Sequence, residues 1–156
     1  MNIQERIEAL ETEFNEKIKA LKAEAQQGDE FPQDGDEYWY VDSDTEAMDI
    51  EWDGSYCDQG RLSIGNVFKT KEQAEFAAEK LKVEAELRKF SRPFEKGEYN
   101  SYIFFYIDGD YLKVGHKVST PSQGAIYFGS EEKAKQVIQS VGEERIKKYI
   151  FGVEEQ

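Results

Sequence analysis

WYVDSD (39–44) is nearly spelled again as FYIDGD (105–110). In both, an aromatic pair and a β-branched residue run into two acids flanking a small residue, which reads as a strand end and a turn. Further on, NVFKTKEQAEFAAEKL (66–81) matches AIYFGSEEKAKQVIQSV (125–141). There Phe68 pairs with Phe128, Thr70 with Ser130, Glu72 with Glu132 and Ala74 with Ala134. The offsets are 66 for the first block and 60 for the second, so the first copy carries six extra residues between its strands. Two blocks matched in the same order suggest an internal duplication, and a period near 60 suggests a two-fold domain rather than a solenoid.

Each unit reads as strand, turn, strand, strand, helix. Met48, Ile50 and Trp52 alternate in the second strand of the first unit, as do Tyr111 to Val114 in the second. Thr70 and Ser130 stand as helix N-caps with acids in the first turn behind them. Ala74, Ala77, Ala78 and Leu81 mark the expected buried stripe of the first of these helices, and a last amphipathic segment, EERIKKYIF, follows Gly142.

Ahead of both units, Ile3, Ile7, Leu10, Phe14, Ile18, Leu21 and Ala25 are spaced 4, 3, 4, 4, 3, 4, which is one stripe of a helix. Glu13 and Lys17 form a favourable i,i+4 pair on it. Gly28-Asp29 is the expected stop. The stripe needs cover, either the body of the protein or a second copy. The expected fold class is α+β: an N-terminal amphipathic or coiled-coil helix (1–27), then two duplicated β-β-β-α units with antiparallel sheet (33–92 and 99–153).

Charge is unevenly placed. The net charge is −13, yet residues 1–58 carry 18 acids and 4 bases while residues 59–156 carry 15 acids and 16 bases. No Lys or Arg occurs between Lys22 and Arg61, an interval holding thirteen acids. A direct nucleic-acid binder shows the opposite sign, so DNA or RNA is not an expected partner. With no apolar run near 18 residues and an acidic, unsignal-like start, a cytoplasmic protein is expected.

Motifs for chemistry are weak. DSDTEAMDIEWD (42–53) places Asp42, Asp44 and Glu46 like a calcium loop, but Ala47 and Asp53 stand where glycine and glutamate are required. A hairpin turn is the better reading. His116 is the single histidine and has no nucleophile elbow or cysteine partner pattern beside it. Cys57 lies among acids, unlike the electropositive setting of reactive cysteines, and is expected to be inert. Phosphate-binding glycine loops are missing, so no cofactor, no metal and no enzymatic activity is expected. The aromatics Tyr38, Trp39, Tyr40 and Tyr102, Phe104, Phe105, Tyr106 are expected in the core or at a protein contact.

GDEYWYVDSD (35–44) followed by GRLSIGNVFKTKEQAEFAAEKLKVEAEL (60–87) resembles a group of small proteins from phages and prophages of Gram-positive bacteria, with a YWYVDSD…GNVFKTKEEAE core. The likeness covers about residues 30–90 strongly and 100–153 weakly. Thr45 stands where that group usually has glycine, which loosens the turn. The resemblance implies a context rather than a mechanism, because small phage accessory proteins are often inhibitors of host enzymes. With the charge pattern it leads to an expected function: a phage-encoded, non-enzymatic interaction protein that is anti-CRISPR-like or DNA-mimic-like. Its acidic surface would occupy the basic surface of a host protein, such as a nucleic-acid-processing or defence nuclease. The expected partner-binding residues are Asp34, Asp36, Glu37, Asp42, Asp44, Asp49, Glu51, Asp53 and Asp58, with Trp52 and Tyr56 as apolar anchors. The alternative is a coiled-coil-tethered assembly module of a phage, oligomerising through residues 3–25.

Overall fold

The structure is a computed structural model describing residues 2–27 and 30–154. The chain is α+β, with five α-helices and two small antiparallel sheets among these residues. The expected helix stop at Gly28-Asp29 lies outside them, as does the Ala25 side chain. No described helix is long and apolar enough to cross a membrane.

Helix α1 (Ile3–Gln27) starts in a reciprocal capping box. The Glu5 N–H donates to Asn2 Oδ1 and the Asn2 N–H to Glu5 Oε2, both at 2.8 Å. The i,i+4 pair forms, with Lys17 Nζ 2.6 Å from Glu13.

Strands β1 (Glu37–Val41) and β2 (Ala47–Glu51) make the first hairpin. Phe68 joins on the other side of β1 through one bridge, in which Trp39 and Phe68 exchange two backbone hydrogen bonds of 2.8 Å. The second sheet runs β4–β3–β5, from β3 (Asn100–Tyr106), β4 (Tyr111–Lys117) and β5 (Tyr127–Phe128). In both halves a hairpin is followed by a segment that pairs antiparallel to the hairpin's first strand, and then by a helix capped at Thr70 or Ser130. The Thr70 hydroxyl accepts from the Gln73 N–H and the Ser130 hydroxyl from the Lys133 N–H.

The halves also differ. WYVDSD and FYIDGD make different turns. Val41 still pairs with Ala47 across a five-residue loop, whereas Ile107 has left the sheet for a 3₁₀ turn (Ile107–Gly109). Phe68 meets Trp39, whereas Phe128 meets Ser101, four residues upstream of the position that the shared letters predict.

The first half also holds an unforeseen helix, α2 (Tyr56–Ser63), capped by Ser55.

Thr45 has φ +68°, the left-handed region where a β-branched side chain crowds its own backbone. This explains why glycine suits the position. Thr45→Gly removes a penalty of about 1–2 kcal/mol but adds about 0.5–1 kcal/mol of chain entropy. The expected result is a gain of roughly 0.5–1 kcal/mol in urea unfolding, and a loss would contradict it.

Helix α3 (Lys71–Arg88) ties the halves together. Ala74 and Ala78 are buried on one face and Val83 and Leu87 on the opposite face, because five residues separate Ala78 from Val83. Val83 and Leu87 join the main core with Phe128, Ala134, Val137, Val141 and Ile146. Those residues come from β5, α4 (Glu131–Val141) and α5 (Glu143–Phe151). Leu81, expected on the buried stripe, is 61% exposed, since the buried face of α3 changes sides there. A two-pronged contact, Arg145 Nη1 and Nη2 to Glu86 at 3.2 and 3.1 Å, clamps α5 to α3.

Asn100, fully buried, fixes the link between the halves. Its Nδ2 donates to the carbonyls of Glu95, Glu98 and Lys117, and its Oδ1 accepts from Arg92 and the Glu95 N–H.

Candidate functional site

The acidic stretch folds around the β1–β2 hairpin. Residues directly opposite across an antiparallel pair point to the same face. Register therefore gathers Glu37, Trp39 and Val41 with Glu51, Asp49 and Ala47, and leaves Tyr38, Tyr40, Met48 and Ile50 on the reverse. Glu37 and Glu51 are direct cross-strand partners, and Asp49 lies two residues along on the same face. All three are exposed, and among the described residues none pairs with a Lys or Arg. Like charges placed directly opposite destabilise a sheet, so stability does not account for them.

Asp34, Asp36 and Asp53 extend this acidic end. The Trp52 N–H donates to Asp36 O at 2.8 Å and the Gly35 N–H to Trp52 O at 2.9 Å, which lays the 34–36 segment beside 52–53. Asp34 and Asp53 are exposed, and Asp36 is half-buried with Oδ2 accepting the Gln33 N–H at 2.8 Å. At the other end of the hairpin Asp44 is exposed, whereas Asp42 organises the turn. Asp42 Oδ1 accepts the N–H groups of Asp44 and Glu46, both at 2.9 Å. That use of Asp42 fits a hairpin turn. Among the described residues no group of three or more His, Cys, Asp or Glu is placed to hold a metal ion.

Two expected contact residues are internal instead. Asp58 is 1% exposed and Trp52 7% exposed. Asp58 Oδ1 accepts from the Tyr38 hydroxyl at 2.5 Å, and Oδ2 from the Asp53 N–H at 3.0 Å. Arg61 Nη1 donates to Tyr38 Oη at 2.8 Å and lies 3.4 Å from Asp58, with its guanidinium 3.8 Å above the Tyr40 ring. Asp58, Tyr38 and Arg61 are thus the polar centre that fixes α2 on the reverse face of the hairpin. Trp52 packs edge-on against Tyr38 at 5.8 Å. A tally of acids registers Asp58 as surface, and an expected apolar anchor at Trp52 does the same, because neither carries information on burial. The available signal was the i,i+3 spacing of Asp58 and Arg61 behind a Ser cap. Tyr56 is 94% exposed, and Met48 and Ile50, the alternating strand residues that are not among the expected contacts, are exposed at 43% and 41%.

Burial pushes the Asp58 carboxyl up, but the hydrogen bonds from Tyr38, Asp53 and Ser55 outweigh it and hold it at about 2. Burial likewise pushes the Tyr38 hydroxyl up, and its bond to Asp58 adds to this. For Asp58 the folded value lies below the unfolded one, near 3.9. The stability it contributes is complete above about pH 4 and is lost as pH falls toward 2, on the order of 2 kcal/mol. Urea midpoints of the natural protein should fall steeply from pH 4.5 to 2.5, and those of Asp58→Asn less steeply. Parallel slopes would overturn this assignment.

The aromatics of the second half divide by register. Phe105 points with Ser101 and Ile103 toward the core, while Tyr102, Phe104 and Tyr106 form the outer face of the sheet. Lys113 Nζ stands 4.1 Å over the Tyr106 ring and Lys117 Nζ 5.5 Å over Tyr102. An open cleft of about 580 Å³ runs between the hairpin turn, α3 and α5, and its lining mixes Glu46, Glu75 and Glu79 with Lys71, Lys82 and Lys148. Charges of both signs there do not make a binding site for either. The concentration of one sign is on the hairpin. Comparison with family models, with curated proteins and with solved structures finds no match to this chain.

Proposed function

We propose that the protein is a non-enzymatic, phage-encoded interaction protein of the host cytoplasm, whose acidic hairpin docks on a Lys/Arg-rich surface of a host protein and blocks it. The partner class that fits is a nucleic-acid-processing enzyme or a defence nuclease, whose groove is built to accept rows of negative charge. One observation carries this reading: Glu37 and Glu51 face each other with Asp49 alongside, and among the described residues none of the three forms an ion pair, the Lys71 ammonium on that face standing over the Trp39 ring instead. Same-face residues recur about every 7 Å along a strand, and paired Cβ atoms lie about 5 Å apart. That spacing presents carboxylates at a density approaching that of a phosphate backbone. The resemblance of residues 35–44 and 60–87 to phage and prophage proteins supports the context. The surface comprises Asp34, Glu37, Asp44, Asp49, Glu51 and Asp53, with Tyr56 as the apolar contact; Asp36 and Asp42 add charge from half-buried positions. Capture of host proteins on the immobilised protein at low and high salt tests it. A partner held equally at both would sink the reading.

The two halves are read as diverged copies of one β-β-β-α unit. Their common connectivity and the Thr70 and Ser130 caps support this, and the displaced Phe128 pairing is the main departure.

A second reading rests on α1. Ile3, Ile7, Leu10, Phe14 and Leu21 remain 44–76% exposed, so the helix presents an apolar stripe to a partner and could tether the acidic module in an assembly.

A further inference from the structure

We infer that α1 pairs with α1 of a second copy of this chain in antiparallel orientation, with the two Phe14 side chains meeting at the two-fold axis. This deepens the second reading above, that α1 associates, and is independent of the acidic hairpin.

Three features of the helix converge. The stripe is exposed where it is described: Ile3 76%, Ile7 44%, Leu10 65%, Phe14 65% and Leu21 63%, with Ile18 half-buried. Its spacing is symmetric about Phe14: Leu10 and Ile18 lie four residues to either side, Ile7 and Leu21 seven. Turning one helix end over end therefore sets Leu10 against Ile18 of the other copy and Ile7 against Leu21. The stripe also repeats every eleven residues, Ile3 to Phe14, Ile7 to Ile18 and Leu10 to Leu21. Eleven residues at 3.6 per turn leave the stripe almost parallel to the axis, so two nearly straight helices can stay in contact along it.

The charges decide the direction. Successive residues turn by about 100°, which puts Glu8, Glu11 and Lys19 on one flank of the stripe and Arg6, Glu13 and Lys17 on the other. In an antiparallel pair like flanks face each other. Lys19 of each copy then lies between Glu8 and Glu11 of the other, and Lys17 lies near Glu13 of the other. A parallel pair brings unlike flanks together at equal heights, which sets Glu11 against Glu13 and Lys17 against Lys19. The contacts of Glu11, Glu13, Lys17 and Lys19 are attractive in the first arrangement and repulsive in the second, where Arg6 opposite Glu8 is the one attractive pair among the charges named here. A second copy is thus the occupant whose charge pattern this face complements.

The test uses the full chain. Sedimentation equilibrium is expected to give a dimer, and Phe14→Asp a monomer with unchanged thermal unfolding of the body, since Phe14 is exposed. For direction, a spin label on Gln4→Cys in a Cys57→Ser background reports the distance between copies. Ten residues from the axis at 1.5 Å each place the two labels about 30 Å apart in the antiparallel dimer and under about 20 Å in the parallel one. Lys19→Glu should weaken dimerisation at least tenfold, and mixing it with Glu8→Lys/Glu11→Lys should restore pairing as a heterodimer. A dimer with the short distance, or without rescue on mixing, overturns the antiparallel assignment while leaving association through α1 standing. A monomer at all concentrations overturns both.

Discussion

Replacing Asp58 with alanine is expected to lower the stability of the protein by about 3–4 kcal/mol, or about 10 °C in Tm for a chain of this length. Asp58 is 1% exposed, and its removal strands three partners at once. The Tyr38 hydroxyl and the Asp53 N–H lose their acceptor, and the Arg61 guanidinium, packed on Tyr40, loses its carboxylate. Leaving a half-buried charge without its carboxylate and a buried donor unpaired costs more than the hydrogen bonds themselves contribute. Asp58→Asn, which keeps an acceptor oxygen, should lose about half as much. Circular dichroism melts of the two variants test the ordering. An Asp58→Ala melt within 2 °C of the natural protein would show that Asp58 is a surface acid after all.

The second large effect is on binding and leaves the fold intact. Joint change of Glu37→Gln, Asp49→Asn, Glu51→Gln and Asp53→Asn removes four exposed carboxylates that pair with no Lys or Arg among the described residues. Relieving the Glu37–Glu51 repulsion should hold stability level or raise it by a few tenths of a kcal/mol. Affinity for a basic partner should fall at least 100-fold at low salt, with a shallower dependence on salt, because each rim charge acts through steering and complementarity. Asp58→Ala and the fourfold variant therefore separate two roles of acids that lie close in sequence: one holds the hairpin to α2, the others face outward.

Much of the architecture was legible in local chemistry. The stripe from Ile3 to Leu21 is strictly helical in period, and strand β1 shows as consecutive aromatics ending at an Asp turn. Thr70 and Ser130 work as caps because a hydroxyl three residues before a free N–H has one geometry to satisfy. What escaped has physical causes. Helix α2 is eight residues with Gly60 inside it, and it owes its place to the Tyr38–Asp58 and Tyr38–Arg61 contacts, which span 20 and 23 residues. Helix α3 buries opposite faces in its two halves, so no single stripe describes it and Leu81 was misplaced. Of the candidate site, the sign and location of the charge were readable, and their sorting was not. Pattern alone cannot tell Asp49, which faces water, from Asp58, which faces Tyr38. Only the register of β1 on β2 reveals that Glu37 and Glu51 share a face.

The most direct test of the acidic hairpin as a working surface compares two columns. One carries the natural protein and the other the Glu37→Gln/Asp49→Asn/Glu51→Gln/Asp53→Asn variant. Both are loaded with lysate of a Gram-positive bacterium at 50 mM NaCl and eluted to 500 mM. The account predicts a basic, nucleic-acid-handling protein that stays on the natural column at low salt, leaves as salt rises, and passes through the variant column. The same protein retained equally by both columns, or held unchanged at 500 mM NaCl, would contradict it.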